Sequence, residues 1–156
     1  MKTKIALIAA FITSLTFATA AEKIKAPNGG RIIATVTPHA EFLVTAEKKL
    51  EIRFLDDAGK VVAPTGQTVT VTMGDRSAPT KLTFTKDGDK LVSDKVIPEG
   101  TELPTVIQIK TTPDAKSVTT KFNLNLSTCP TCSNAEYACS CEHGHEEKGH
   151  EGHDHP

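Results

Sequence analysis

Between Gly29 and Leu126 apolar side chains recur at every second position rather than every third or fourth. Leu50, Ile52 and Phe54 alternate with Glu51 and Arg53, and Val69, Val71 and Met73 alternate with Thr70 and Thr72. Leu82 and Phe84 flank Thr83; Phe122, Leu124 and Leu126 flank Asn123 and Asn125. A period of two sends one set of side chains to a buried face and the other to water, so these runs predict strands. Nine stretches, 31–36, 40–45, 49–55, 61–63, 67–73, 81–85, 90–96, 105–111 and 117–126, are the candidates from which seven or eight short strands are expected, and 61–63 is the weakest of them. Val106-Ile107-Gln108-Ile109 is more continuously apolar, as a central strand would be.

Turn residues separate the runs. Asp57-Ala58-Gly59, Gly74-Asp75, Asp87-Gly88-Asp89, Pro98-Glu99-Gly100 and Thr112-Pro113-Asp114 all fall between them. Gly and Asp tolerate positive φ, and Pro fixes φ near the turn value. Asp87-Gly88 between two alternating runs is a hairpin signal. No segment between the strands has a helical apolar stripe. Short strands at regular spacing predict an all-β fold, an immunoglobulin-like antiparallel β-sandwich, with a small closed barrel as the alternative. The strands contain no Cys, so no inter-sheet disulfide is expected. The sandwich should therefore be self-sufficient, and a bound metal is not expected to stabilise it.

The length of 156 residues allows one domain with tails. A formal net charge of −1 excludes a basic nucleic-acid binder. The first twenty residues change the picture of compartment. Lys2 and Lys4 precede an apolar stretch from Ile5 to Phe17, and Ala18-Thr19-Ala20 supplies a small-residue cleavage site. This pattern predicts a secretory signal peptide over 1–20 and a periplasmic or secreted chain that is not membrane-embedded after cleavage. The expected organisation is then a linker over 21–28, the sandwich over 29–126, a Cys-rich segment over 127–142 and a disordered His-rich tail over 143–156. Removing the leader also exposes an asymmetry of charge. Residues 21–128 hold 15 basic and 13 acidic side chains, whereas residues 129–156 hold one Lys and six acidic ones.

That last segment carries the candidate chemistry. It contains all four Cys and five of the six His. Cys129-x-x-Cys132 has a spacing that lets both sulfurs reach one ion across a turn. Cys139, Cys141, His143 and His145 occupy every second position, and Gly144 permits the bend that a shared ion would require. Thiolates suit zinc(II) and copper(I), and imidazoles add copper(II) and nickel(II). His150, His153 and His155 extend the ligand supply, flanked by carboxylates, and their affinity should fall as they protonate below ~6.5. The cysteines admit three readings: a metal site, disulfides with Cys129–Cys141 and Cys132–Cys139 as the least strained pairs, or a redox-active Cys-x-x-Cys. No βαβ pattern of the thioredoxin type surrounds the last. In the body the only paired candidates are His39 and Glu41, at i and i+2 on one strand. A surface polar pair is favoured there over a metal site, because two ligands do not define one. No phosphate loop, nucleophile elbow or His-Glu-x-x-His helix is present, so no enzyme activity is expected.

Three short stretches carry a likeness to a known group. Gly29-Gly30-Arg31-Ile32, Pro38-His39-Ala40-Glu41-Phe42-Leu43-Val44 and Leu55-Asp56-Asp57-Ala58-Gly59-Lys60-Val61-Val62 resemble a small periplasmic β-domain of bacterial heavy-metal resistance systems. That domain occurs alone or near the start of adaptor proteins of resistance-nodulation-division efflux pumps. Such proteins usually carry a His before the Gly pair, where this chain has Asn28. The helical hairpin and lipoyl-like parts of an adaptor have no counterpart here. The resemblance implies a stand-alone relative of one module, with a metal efflux system as partner. The expected function is an exported transition-metal-binding protein that buffers or delivers copper or zinc through Cys129, Cys132, Cys139, Cys141 and the His residues. The alternative is a structural or protein-interaction sandwich with a disulfide-stapled C-terminus and incidental metal affinity.

Overall fold

The computed structural model describes residues 24–141. The expected leader and His143, His145, His150, His153 and His155 lie outside the described residues. Nine strands form: β1 Arg31–Ile33, β2 His39–Val44, β3 Lys49–Leu55, β4 Val61–Val62, β5 Thr68–Met73, β6 Thr80–Asp87, β7 Lys90–Val96, β8 Glu102–Lys110 and β9 Val118–Asn125. The weak run at 61–63 survives as the two-residue β4. The expected first strand is shorter than its apolar pattern, ending at Ile33, and β8 begins earlier, at Glu102. Among the described residues no helix is long and apolar enough to cross a membrane.

Every strand pairing is antiparallel, in the order β1-β2-β3-β7-β6-β5-β8-β9, with β4 on β3. Two sheets can be traced along that order. One runs β2-β3-β7-β6 and the other β5-β8-β9, which is the A-B-E-D and C-F-G arrangement of an immunoglobulin-like sandwich. β6 joins them: Thr80–Thr83 pair with β5, and Phe84–Asp87 pair with β7. The result is a sandwich nearly closed into a barrel. The expected hairpin is present, with Asp87 opposite Lys90 and Gly88 at φ +61°. β8, which holds Val106–Ile109, lies between β5 and β9 as a central strand.

The alternation becomes a single core. Phe42, Leu50, Ile52 and Phe54 face Val69, Val71, Met73, Ile107, Ile109 and Leu124, all buried. Burial of such side chains contributes roughly 1.5–3 kcal/mol each before conformational entropy is set against it. Where the β3–β7 register slips between Lys49 and Glu51, the Ser93 hydroxyl accepts the Leu50 N–H at 3.0 Å and donates to the Lys95 carbonyl at 2.7 Å. The local break in the ladder therefore leaves no buried backbone donor there unmet.

The chain enters the sandwich through a turn held by one carboxyl group. Glu41 is fully buried on β2 and accepts from Asn28 N at 2.9 Å, Asn28 Nδ2 at 2.8 Å and Gly30 N at 2.9 Å. Three donors on one buried carboxyl compensate for its loss of water. His39 instead lies 3.8 Å from Asp57. The expected surface polar pair is thus corrected: Glu41 is buried and organises backbone, because its carboxyl meets the donors of the entering turn, while His39 faces Asp57. Gly30 must be glycine because a Cβ there would sit 2.4 Å from the Phe42 carbonyl oxygen. Gly29 is at φ +74° with open space around it. Gly30→Ala should cost about 2 kcal/mol or more, because the obstructing atom is backbone. Gly29→Ala should cost about 1 kcal/mol, from its positive φ alone. Equilibrium urea unfolding of the two variants measures the difference, and equal losses would contradict this account.

Candidate metal centre

β9 is followed by a compact knuckle. The Leu126 N–H reaches the Thr101 carbonyl at 2.9 Å, and the Ser127 N–H reaches Asn125 Oδ1 at 2.9 Å. The chain then turns back on itself. Thr128 forms an antiparallel bridge with Ala135, Cys129 N donates to Asn134 O at 2.7 Å, and Glu136 N donates to Ser127 O at 2.8 Å. Inside this reversal the Ser133 N–H closes on the Cys129 carbonyl at 3.1 Å, with Ser133 at φ +60°. That turn places Cys129 and Cys132 side by side. A 3-10 turn over Glu136–Ala138 follows, and Cys139 N donates to Glu136 O at 3.1 Å as it ends. The reversal brings the second Cys pair back to the first.

The four sulfurs of Cys129, Cys132, Cys139 and Cys141 all lie within 4.8 Å of one another. Cys139 is the hub, with its sulfur 3.4 Å from Cys129 and 3.6 Å from Cys132. The Cys141 N–H also donates to that sulfur at 3.4 Å. Four sulfurs at ~2.3 Å from one tetrahedral ion would lie ~3.8 Å apart. The two separations from Cys139 are a few tenths of an ångström shorter than that spacing, and both are far longer than the ~2.05 Å of a disulfide. The donor set fits a single thiophilic ion. Among the described residues no other group of three or more His, Cys, Asp or Glu side chains converges in this way. Cys129 is buried, whereas the other three are half-buried. A groove of about 400 Å³ opens beside Cys139, between Ile24–Arg31 and the 3-10 turn. The cluster therefore has one sulfur anchored in the protein and a face open to exchange.

The stretch expected to stand apart from the core does not do so as far as Cys141. Tyr137 is 5% exposed and belongs to the core, packed edge-on against Phe42 at 5.9 Å. Its hydroxyl oxygen accepts the Val44 N–H at 3.0 Å, and its carbonyl accepts from Arg31 Nη1 at 3.2 Å. Burial raises the Tyr137 pKa despite the Val44 hydrogen bond, so the phenol keeps its proton. Sequence reasoning missed Tyr137 and Arg31. The available signal was the chain's single Tyr within an otherwise polar, Cys-rich run.

Comparison with protein-family models, with curated proteins and with solved structures finds no match for this chain. Its class rests on what is visible: an antiparallel, immunoglobulin-like sandwich bearing a four-cysteine knuckle that can hold a metal ion.

The Cys139 and Cys141 thiols resist ionisation. The Cys141 N–H lowers the Cys139 pKa, but desolvation and hydrogen bonds with the Cys129, Cys132 and Cys141 thiols override it and push the value up to about 12. The Cys132 thiol pushes Cys141 upward, against an opposing hydrogen bond with Cys139. A metal takes thiolates, so binding must displace these protons. At neutral pH both groups lie below their raised pKa, hence affinity should rise with pH and weaken in acid. Binding at pH 7 should release a proton each from Cys139 and Cys141. Calorimetry in buffers of different ionisation enthalpy counts them, and binding without proton release would refute the assignment.

Proposed function

We propose that the protein is an exported binder of transition-metal ions that holds copper or zinc at Cys129, Cys132, Cys139 and Cys141, for buffering or for delivery to a metal efflux system. The observation that carries this reading is the convergence of four sulfurs within 4.8 Å of one another. Sulfur-only coordination suits zinc(II) and copper(I) rather than hard cations. Three half-buried sulfurs, with Cys139 at the wall of a groove, favour exchange over permanent sequestration. His143 and His145 follow Cys141 by two and four residues, so chain length keeps them within ~7 and ~14 Å of it. With His150, His153 and His155 they supply weaker, pH-dependent ligands for capture at higher metal load. The acidic excess after residue 128 attracts cations to the same region. No enzymatic step enters this reading.

Protein isolated from the extracytoplasmic fraction under non-reducing conditions is expected to carry one equivalent of copper or zinc per chain at the cluster. Thiol titration after chelation should find all four Cys reactive. Deleting residues 143–156 should lower total capacity while keeping the tightest equivalent, and Cys132→Ser should abolish that equivalent. Four blocked thiols with no bound metal would favour the disulfide-stapled structural sandwich and sink the metal reading.

A further inference from the structure

The sandwich has one unzipped seam. β1 pairs only with β2 and β9 only with β8, and the two outer strands confront one another without a shared ladder. Side chains cross the gap instead. The Thr35 and Thr120 hydroxyls lie 3.2 Å apart. The Arg31 guanidinium sits 4.7 Å above the Phe122 ring, and Phe122 meets Phe42 edge-on at 5.3 Å. The 3-10 turn packs on both β1 and β9 and covers one end of this seam. β1 pairs with β2 only as far as Phe42, which leaves the Val44 N–H beyond its reach. The Tyr137 hydroxyl takes that donor, its ring covers Phe42, and its carbonyl holds Arg31. Cys139, the hub of the sulfur cluster, is two residues further along the chain.

We propose that Tyr137 is a positioning residue for the metal site, through which ion binding at the four cysteines and closure of the β1–β9 seam are thermodynamically coupled. The inference rests on the metal-site reading above. Tyr137 fixes where the second Cys pair starts, and the first pair is fixed by β9. An ion that clamps the two pairs together holds Tyr137 on Phe42 and Val44, so the ion and the seam each stabilise the other. Such coupling is reciprocal: whatever factor the seated Tyr137 adds to metal affinity, the metal adds to the seating of Tyr137. A ligand that requires the native arrangement raises the melting temperature by mass action, whereas a knuckle independent of the sandwich would bind metal without that effect. This proposal runs against the sequence-based expectation of a sandwich indifferent to metal, and the two differ in a measurable thermal shift.

The test uses the full mature chain, zinc(II) as the only ligand, and three readouts: zinc affinity, melting temperature, and amide hydrogen exchange in β1 and β9. Zinc at 100 times its Kd should raise the wild-type melting temperature by roughly 10 °C. It should also slow exchange in β1 and β9. Tyr137→Phe keeps the ring on Phe42 but loses the acceptor for Val44, and should bind zinc several-fold more weakly with a smaller thermal shift. Tyr137→Ala should lose more of both, and Cys132→Ser should abolish the zinc response. If Tyr137→Ala does not fold, Tyr137→Phe decides alone. Stoichiometric zinc binding with an unchanged melting temperature would overturn the coupling and leave the metal site standing. So would wild-type zinc affinity in Tyr137→Phe. Absence of zinc binding in the wild type would instead strike the metal-site reading for that ion, and the coupling with it.

Discussion

The structure depends on how an antiparallel sandwich ends. A sheet closed by backbone hydrogen bonds has no edges, whereas an open one must cover the unpaired donors of its outer strands. Here β1 is only three residues long and leaves part of β2 uncovered. The uncovered Val44 N–H is met by a side chain from 93 residues away, the Tyr137 hydroxyl. The seating of the 3-10 turn on the sandwich meets that need. A Cys-rich run that lacks strand periodicity is nevertheless part of the core, because its one large aromatic fills the place where the sheet stops.

Both ends of the described chain meet at this edge. The Asn28–Gly30 turn is fastened to Glu41 on β2, and the neighbouring Phe42 takes the Tyr137 ring. Asn28 also accepts from Arg53, which donates in turn to Glu51, the partner of Lys90. A line of polar contacts therefore runs across β2, β3 and β7 from the entering segment. These ion pairs are partly exposed, so each contributes modestly. Their value is positional: they hold the entering turn, whose Gly29 and Gly30 line the groove beside Cys139, in register with the sheet.

The sulfur cluster combines two demands that usually conflict. A site that holds an ion tightly benefits from burial and rigid geometry, and a site that exchanges it needs exposed ligands. Cys129 satisfies the first, with its backbone locked into the knuckle and its side chain buried. Cys132, Cys139 and Cys141 satisfy the second. The high proton affinity of Cys139 adds a third property, since an ion must compete with protons for that sulfur. Under the proposed metal-site reading, occupancy would therefore depend on both metal activity and pH.

Much of the fold was legible locally. Leu50-Glu51-Ile52-Arg53-Phe54 can only bury one face as a strand, and Asp87-Gly88 can hardly do other than turn, because pleat and φ preference act within a few residues. The Cys129-x-x-Cys132 spacing likewise marked a candidate ligand pair by local geometry alone. Glu41 and Tyr137 were not legible. A carboxylate at i+2 from a His reads as half of a surface polar pair until Gly30 and Asn28, more than ten residues earlier in the chain, are seen to surround it in the buried interior. A Tyr in a polar run reads as surface until the end of β1 is known. The sequence by itself determined the strands, the turns and the supply of sulfur and imidazole. Only the tertiary structure decided that two Cys pairs become one cluster, and that this cluster is anchored on the open edge of a sandwich. The reason is that backbone donors left by a short strand must be met by whatever part of the chain the fold brings near, and separation in sequence does not reveal which part that is.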